Sequence, residues 1–141
     1  MAHTEHTPTI DPTHAPLRVL VVEDEDAARI ATRRYLQNCG HEVEAAGTAA
    51  EAMAKADELR PEVLVCDWKL ATEPEGDGVA VARLLQKRFG VAVIFVTAYA
   101  LSDLRRNIGG LGSVDCLRKP ISLHTLAAAV LNSAPLTTAH R

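Results

Sequence analysis

Five short apolar runs, rich in β-branched residues, alternate with five stretches of helical period. The run LRVLVV over 17–22 is continuous rather than alternating, the pattern of a strand covered on both faces. Ala28, Ala31, Thr32, Tyr35, Leu36 and Cys39 then fall on one face of a helix over about 26–39. Gly40 follows as its C-terminal cap. HEVEAA over 41–46 alternates and reads as a second strand. Thr48 and Glu51 make a capping box that opens a helix to about Arg60, ended by Pro61. EVLVC over 62–66 is a third strand that delivers Asp67 at its carboxyl end. A helix over about 77–89 closes at Gly90, and VAVIFV over 91–96 is the most apolar strand. A short helix over 101–108 precedes Gly109, Gly110 and Gly112, and VDCL over 114–117 is a weak fifth strand. Ser122 caps a last helix to about Ser133, with Leu123, Leu126, Ala127, Val130 and Leu131 on its inner face.

Strands that alternate with helices build a parallel sheet through right-handed crossovers. The pattern predicts an α/β fold, a flavodoxin-like doubly wound five-stranded parallel sheet with five flanking helices. The folded part runs over 17–134. Residues 1–16 hold three prolines, and Ile10 is their only large aliphatic residue, so they read as a flexible tail. His3, His6 and His14 in that tail lack the neighbours of a metal site and read as solvated. Residues 135–141 read as a second short tail.

Composition narrows the function classes. The chain has 141 residues, the length of one domain. A formal net charge of −3 disfavours nucleic acid as a partner, because that affinity comes mainly from neutralising phosphates. No apolar run approaches a membrane span, and the first residues lack the layout of a signal peptide. Cys39, Cys66 and Cys116 are an odd number, which fits a reducing cytoplasm better than a disulfide framework.

In a doubly wound sheet, chemistry sits beyond the carboxyl ends of the strands. Strand one ends in Glu23, Asp24, Glu25 and Asp26, and strand three ends in Asp67. Strand four ends in Thr97, and Lys119 with Pro120 follows strand five. Taken singly, each has a plain explanation. Acidic residues favour a helix N-terminus, an Asp caps a turn, and a Lys-Pro pair is usually loop. Taken together, carboxylates from two strands need a cation, and hard oxygen ligands without His or Cys favour Mg²⁺. A hydroxyl and an ammonium nearby suit the remaining oxygens of a phosphoryl group. The set describes Asp67 as a carboxylate nucleophile that takes up a phosphoryl group beside a metal.

On the segments VLVVEDED, LVCD, DGVAVARLL, VIFVTAYA and LRKPI, residues 17–133 resemble the receiver domain of two-component response regulators, in its single-domain, CheY-like form. The resemblance implies that Asp67 is the phosphoacceptor, with Thr97 as the switch hydroxyl and Lys119 as the phosphoryl-binding lysine. It implies Mg²⁺ held by Asp24 and Asp67, by Glu23 largely through water, and by the backbone carbonyl of Lys69. A cis bond before Pro120 is also implied. The implied partners are a sensor histidine kinase or histidine phosphotransfer protein, which donates the phosphoryl group, and a downstream protein of unspecified kind. Nucleic acid and membrane are not among them. The chain departs from the family pattern at position 116, a Cys where Tyr or Phe is usual, and in a longer loop, ATEPEGDG, after the acceptor. The nearest aromatic to Thr97 in sequence is Tyr99, so Tyr99 and the segment 100–112 are expected to carry the output change.

Three other readings fit less well. A phosphorylation-independent interaction module of the same fold predicts a missing acceptor, lysine or acidic pair, and all are present. A dehalogenase-type phosphatase needs its nucleophile on the first strand. A dinucleotide binder needs a glycine-rich first turn, where this chain has carboxylates that would repel a pyrophosphate.

Overall fold

The computed structural model describes residues 15–70 and 78–133. They form β1 (Arg18–Val22), α1 (Asp26–Asn38), β2 (Glu42–Ala46), α2 (Ala49–Leu59) and β3 (Val63–Asp67). The second half adds α3 (Gly78–Phe89), β4 (Ala92–Thr97), α4 (Leu101–Arg105), β5 (Val114–Arg118) and α5 (Leu123–Ser133). The sheet is parallel throughout, in the order β2-β1-β3-β4-β5. This is the expected doubly wound sheet, with its switch in strand order between β1 and β3. The tails expected over 1–16 and 135–141 lie outside the described residues except for Ala15 and Pro16, as does most of the longer loop, 71–77.

The three inner strands are continuous apolar runs because both of their faces are covered. Leu20, Val22, Leu64, Cys66, Val93 and Phe95 face a core closed by α2, α3 and α4. Val19, Val21, Val63, Val65, Ile94 and Val96 alternate with them and face a second core under α1 and α5. The caps follow the sequence. Thr48 Oγ1 accepts from the Glu51 amide 3.1 Å away, and Gly40 takes φ +99° after α1, a conformation that a residue with a Cβ adopts only with strain.

Two elements differ from expectation. Only Leu36 of the expected α1 face is fully buried; Ala28, Thr32, Tyr35 and Cys39 are half-buried, and Ala31 is exposed. The side chains at 28, 31 and 32 are too short to reach the sheet, and a cavity of ≈ 560 Å³ lies between α1 and α5 beside Val21, Val65 and Leu126. The fourth helix ends at Arg105 rather than 108. Glycines support helix poorly, and the chain beyond is bound elsewhere. The Arg83 guanidinium of α3 donates to the carbonyls of Gly109 and Asn107 at 2.5 and 2.8 Å. Gln86 donates to the carbonyls of Val91 and Ser113, and its Oε1 accepts from the Gly112 amide.

The start of α3 is pressed against the end of β3. The Gly78 amide donates to the Trp68 carbonyl at 2.6 Å, and a Cβ on Gly78 would lie 2.0 Å from the Asp67 carbonyl oxygen. Only glycine fits without moving backbone. Gly109, by contrast, has open space where a Cβ would lie and an ordinary φ. Gly78→Ala is therefore expected to lose about 2 kcal/mol or more of stability. Gly109→Ala should be neutral or stabilise by up to about 1 kcal/mol through the unfolded state. Chemical denaturation of the two variants beside the wild type checks both.

Candidate functional site

Register brings the candidate residues to one edge of the sheet. Val22 pairs with Cys66, so the next residues, Glu23 and Asp67, stand level on neighbouring strands. Both continue the alternation of Val21 and Val65, so both side chains emerge on the side of α1 and α5. Thr97 pairs with Arg118 across β4 and β5, which sets Lys119 one step beyond.

Carboxylate oxygens of Glu23, Asp24 and Asp67 lie within 4.8 Å of one another. The Lys119 ammonium donates to Glu23 Oε1 and Asp67 Oδ2, both at 3.1 Å. These side chains are poorly hydrated, 10% exposed for Glu23, 12% for Asp67 and 33% for Lys119. Burial pushes the Asp67 carboxyl above the usual carboxylate range; Lys119 pulls it down, and the charges of Glu23 and Asp24 push it further up. For Lys119, burial is the largest single influence and lowers its value. The attractions of Asp67 and Glu23 together outweigh burial and leave it raised.

The acidic run after β1 divides its labour. Glu23 and Asp24 turn to the site. Glu25 is the N-cap of α1, its carboxylate accepting from the Ala28 amide at 2.8 Å. Asp26 sits in the first helical turn and pairs with Arg29 at 2.5 Å. Arg29 also donates to the Glu23 carbonyl at 3.0 Å, while Glu23 Oε2 accepts from the Glu25 amide. The plain explanation holds for Glu25 and Asp26, while Glu23 and Asp24 lie in the carboxylate cluster.

Thr97 is fully buried at the end of β4, and its Oγ1 accepts from the Tyr99 amide at 3.1 Å. Its hydroxyl thus serves its own loop here, not a carboxylate. Lys69 is exposed, and its ammonium lies 4.5 Å from the centroid of the Trp68 ring. That contact is with an aromatic face, so its side chain does not join the carboxylate cluster. The Lys119–Pro120 bond is cis. Reasoning from sequence did not identify Gly78, Arg29 or Arg118 as supports of the site. Arg118 Nε holds the Ala98 carbonyl at 3.1 Å. A glycine opening α3 directly after the acceptor loop was the one available signal; the two arginines gave none.

The donor set is all oxygen and carries excess negative charge, which fits a hard divalent cation. With a phosphoryl oxygen as a further ligand, the same set fits a phosphoryl-transfer site.

Comparisons with known proteins identify the family. Residues 19–131 match the response regulator receiver domain family. The sensor kinase CckA of Brucella abortus is 39% identical over 115 residues, 79% of this chain and 12% of that protein. The transcriptional regulatory protein TrcR of Mycobacterium tuberculosis is 35% identical over 117 residues, 81% of this chain and 44% of its own length. The chain thus spans less than half the length of these two relatives. Among solved structures, the signal receiver domain of a Luxo repressor protein from Vibrio parahaemolyticus superposes with a TM-score of 0.73 at 28% identity, covering 89% of this chain and 94% of that one. No helix among the described residues is long and apolar enough to cross a membrane.

The raised Asp67 value has a consequence for stability. A carboxyl whose folded value lies above its unfolded one loses stability as it ionises, so the ionised Asp67 carboxylate disfavours the metal-free fold at neutral pH. Asp67→Asn, without divalent cation, is expected to raise Tm at pH 7 by roughly 2–5 °C, the effect of ~1 kcal/mol in a domain of this size. The gain should shrink as pH falls and the wild-type carboxyl takes up its proton. Thermal melts of both proteins at neutral and acidic pH check the sign.

Proposed function

Because this chain belongs to the response regulator receiver domain family, we propose that it is a phosphoacceptor switch of two-component signalling, with Asp67 as the acceptor. The observation that carries the assignment is Asp67 at the carboxyl end of a central strand, grouped with Glu23 and Asp24 and bonded to Lys119. A phosphohistidine of a sensor kinase or of a phosphotransfer protein is the donor. An Asp67 carboxylate oxygen forms the new P–O bond as the P–N bond of the donor breaks. The imidazole leaves with the bonding pair and regains a proton from solvent. Asp67 is consumed in the transfer and regenerated by hydrolysis, so the chain acts as a carrier of the phosphoryl group, not as an enzyme on a free substrate.

Each remaining residue acts on charge. Lys119 already sits against Asp67 and turns to a phosphoryl oxygen as the anion arrives, exchanging one charge-assisted bond for another. The Thr97 hydroxyl, at the end of the adjacent strand, donates to a second oxygen. Asp24, Asp67 and the Lys69 carbonyl, with Glu23 largely through water, would hold Mg²⁺, which when bound would offset the negative charge of carboxylates and phosphoryl oxygens. Both the acceptor and the acidic pair are present and in contact range, so a phosphorylation-independent role has no observation in its favour.

Labelling with acetyl phosphate tests the acceptor. Asp67→Asn should abolish incorporation, whereas Asp26→Asn, in the Arg29 pair outside the cluster, should retain it. Robust labelling of Asp67→Asn overturns the assignment. Metal binding has its own reporter, because Trp68 is the only tryptophan and directly follows Asp67. Mg²⁺ is expected to change its emission in the wild type, and Asp24→Ala to remove that change. Fluorescence titration checks this, with calorimetry as an independent measure of binding.

A further inference from the structure

The chain has one Trp, two Tyr and two Phe. Three of these rings are committed away from the site. Tyr35 packs on the core under α1, Phe89 stacks beneath Arg60 and Arg88, and Phe95 is fully buried inside β4. Position 116 on β5 holds a half-buried Cys at the margin of the other core, and no ring. The two remaining aromatics touch each other. Trp68 and Tyr99 meet edge to face, with centroids 5.7 Å apart and planes at 75°.

Each member of this pair is tied to one half of the site. Trp68 directly follows Asp67, is 5% exposed, and its buried Nε1–H has no acceptor among the described residues. Tyr99 follows Thr97 by two residues, is 53% exposed, and its amide donates to the Thr97 hydroxyl oxygen. The chain on either side of Tyr99 is pinned. Arg118 holds the Ala98 carbonyl, and the Lys119 amide holds that of Thr97 at 2.8 Å. Beyond it, Leu104 is fully buried, and Arg83 and Gln86 hold 107–113. Between these anchors α4 opens on Ala100 without a side-chain cap.

We infer that Trp68 and Tyr99 form the aromatic element that couples the state of Asp67 to residues 99–106, in place of a ring at position 116. This rests on the phosphoacceptor reading of Asp67. When Thr97 donates its hydroxyl proton to a phosphoryl oxygen, its Oγ1 turns and the bond from the Tyr99 amide is remade or lost. That bond ties the Tyr99 amide back to the end of β4, so its change lets the Tyr99 ring move over Trp68. The unpaired Nε1–H disfavours the resting arrangement, because a buried donor without an acceptor is stabilised by any rearrangement that supplies one. The change stays within 99–106, because the Arg83 and Gln86 bonds hold the glycine-rich stretch that follows. The small Cys116 side chain moves no comparable surface.

The test is amide hydrogen exchange with Mg²⁺, with and without beryllofluoride, in wild type, Tyr99→Ala, Tyr99→Phe and Cys116→Ala. Each protein is also labelled with acetyl phosphate. All four should be labelled. Exchange in 99–106 should respond to beryllofluoride in wild type, Tyr99→Phe and Cys116→Ala, with a response at least about threefold smaller in Tyr99→Ala. A full response in Tyr99→Ala, a lost one in Cys116→Ala, no response in wild type, or failure of Tyr99→Ala to be labelled overturns the inference. Failure of the wild type to be labelled refutes the phosphoacceptor reading itself, so the two failures are told apart.

Discussion

Three carboxylates and one ammonium share a poorly hydrated pocket at the carboxyl edge of the sheet, and most of the structure serves to hold them there. Like charges at this spacing repel, and burial adds a desolvation cost that the single Lys119 only partly offsets. Such a cluster persists only if its residues sit on elements that cannot relax apart. Glu23 and Asp67 stand at the ends of adjacent, fully covered strands, and Lys119 is fixed through the Thr97 carbonyl of a third. An all-oxygen, negatively charged donor set held in place in this way is one that fits a hard divalent cation.

The strand that carries Asp67, β3, is joined to the far side of the molecule by α3. That helix begins on Gly78, in contact with the backbone of Asp67, and farther along projects Arg83 and Gln86 onto the stretch before β5. Close backbone packing at one end and several hydrogen bonds at the other make it a stiff connection. By contrast, the segment around Tyr99 is the lightly held part of the carboxyl edge. It is tied to the strand by the Thr97 hydroxyl and to its neighbour by one aromatic edge contact.

The relatives differ in what surrounds the shared domain. The similarity to CckA covers 12% of that kinase and the similarity to TrcR 44% of that regulator. A receiver domain is thus shared by larger proteins of different kinds. In this chain position 116 is a half-buried Cys, and Tyr99 beside Thr97 is exposed.

Much of this was legible in the residues. The period of the apolar positions determines five strands and five helices, since a strand covered on both faces and an amphipathic helix repeat at different intervals. Acidic residues, a hydroxyl and a lysine at the ends of different strands already imply a shared site, because a doubly wound sheet brings those ends together. What the period does not encode is reach. Ala28 and Ala31 have the right spacing for a buried face, yet their side chains stop short of the sheet and leave a cavity. Whether a polar side chain serves the site or its own backbone is likewise decided in three dimensions. Glu23 and Glu25 are near neighbours in one acidic run, but one meets Lys119 and the other caps a helix. The contact between Trp68 and Tyr99 and the clamp of Arg83 on Asn107 and Gly109 join residues far apart in the chain. No local pattern marks them, because they arise from how the finished elements pack.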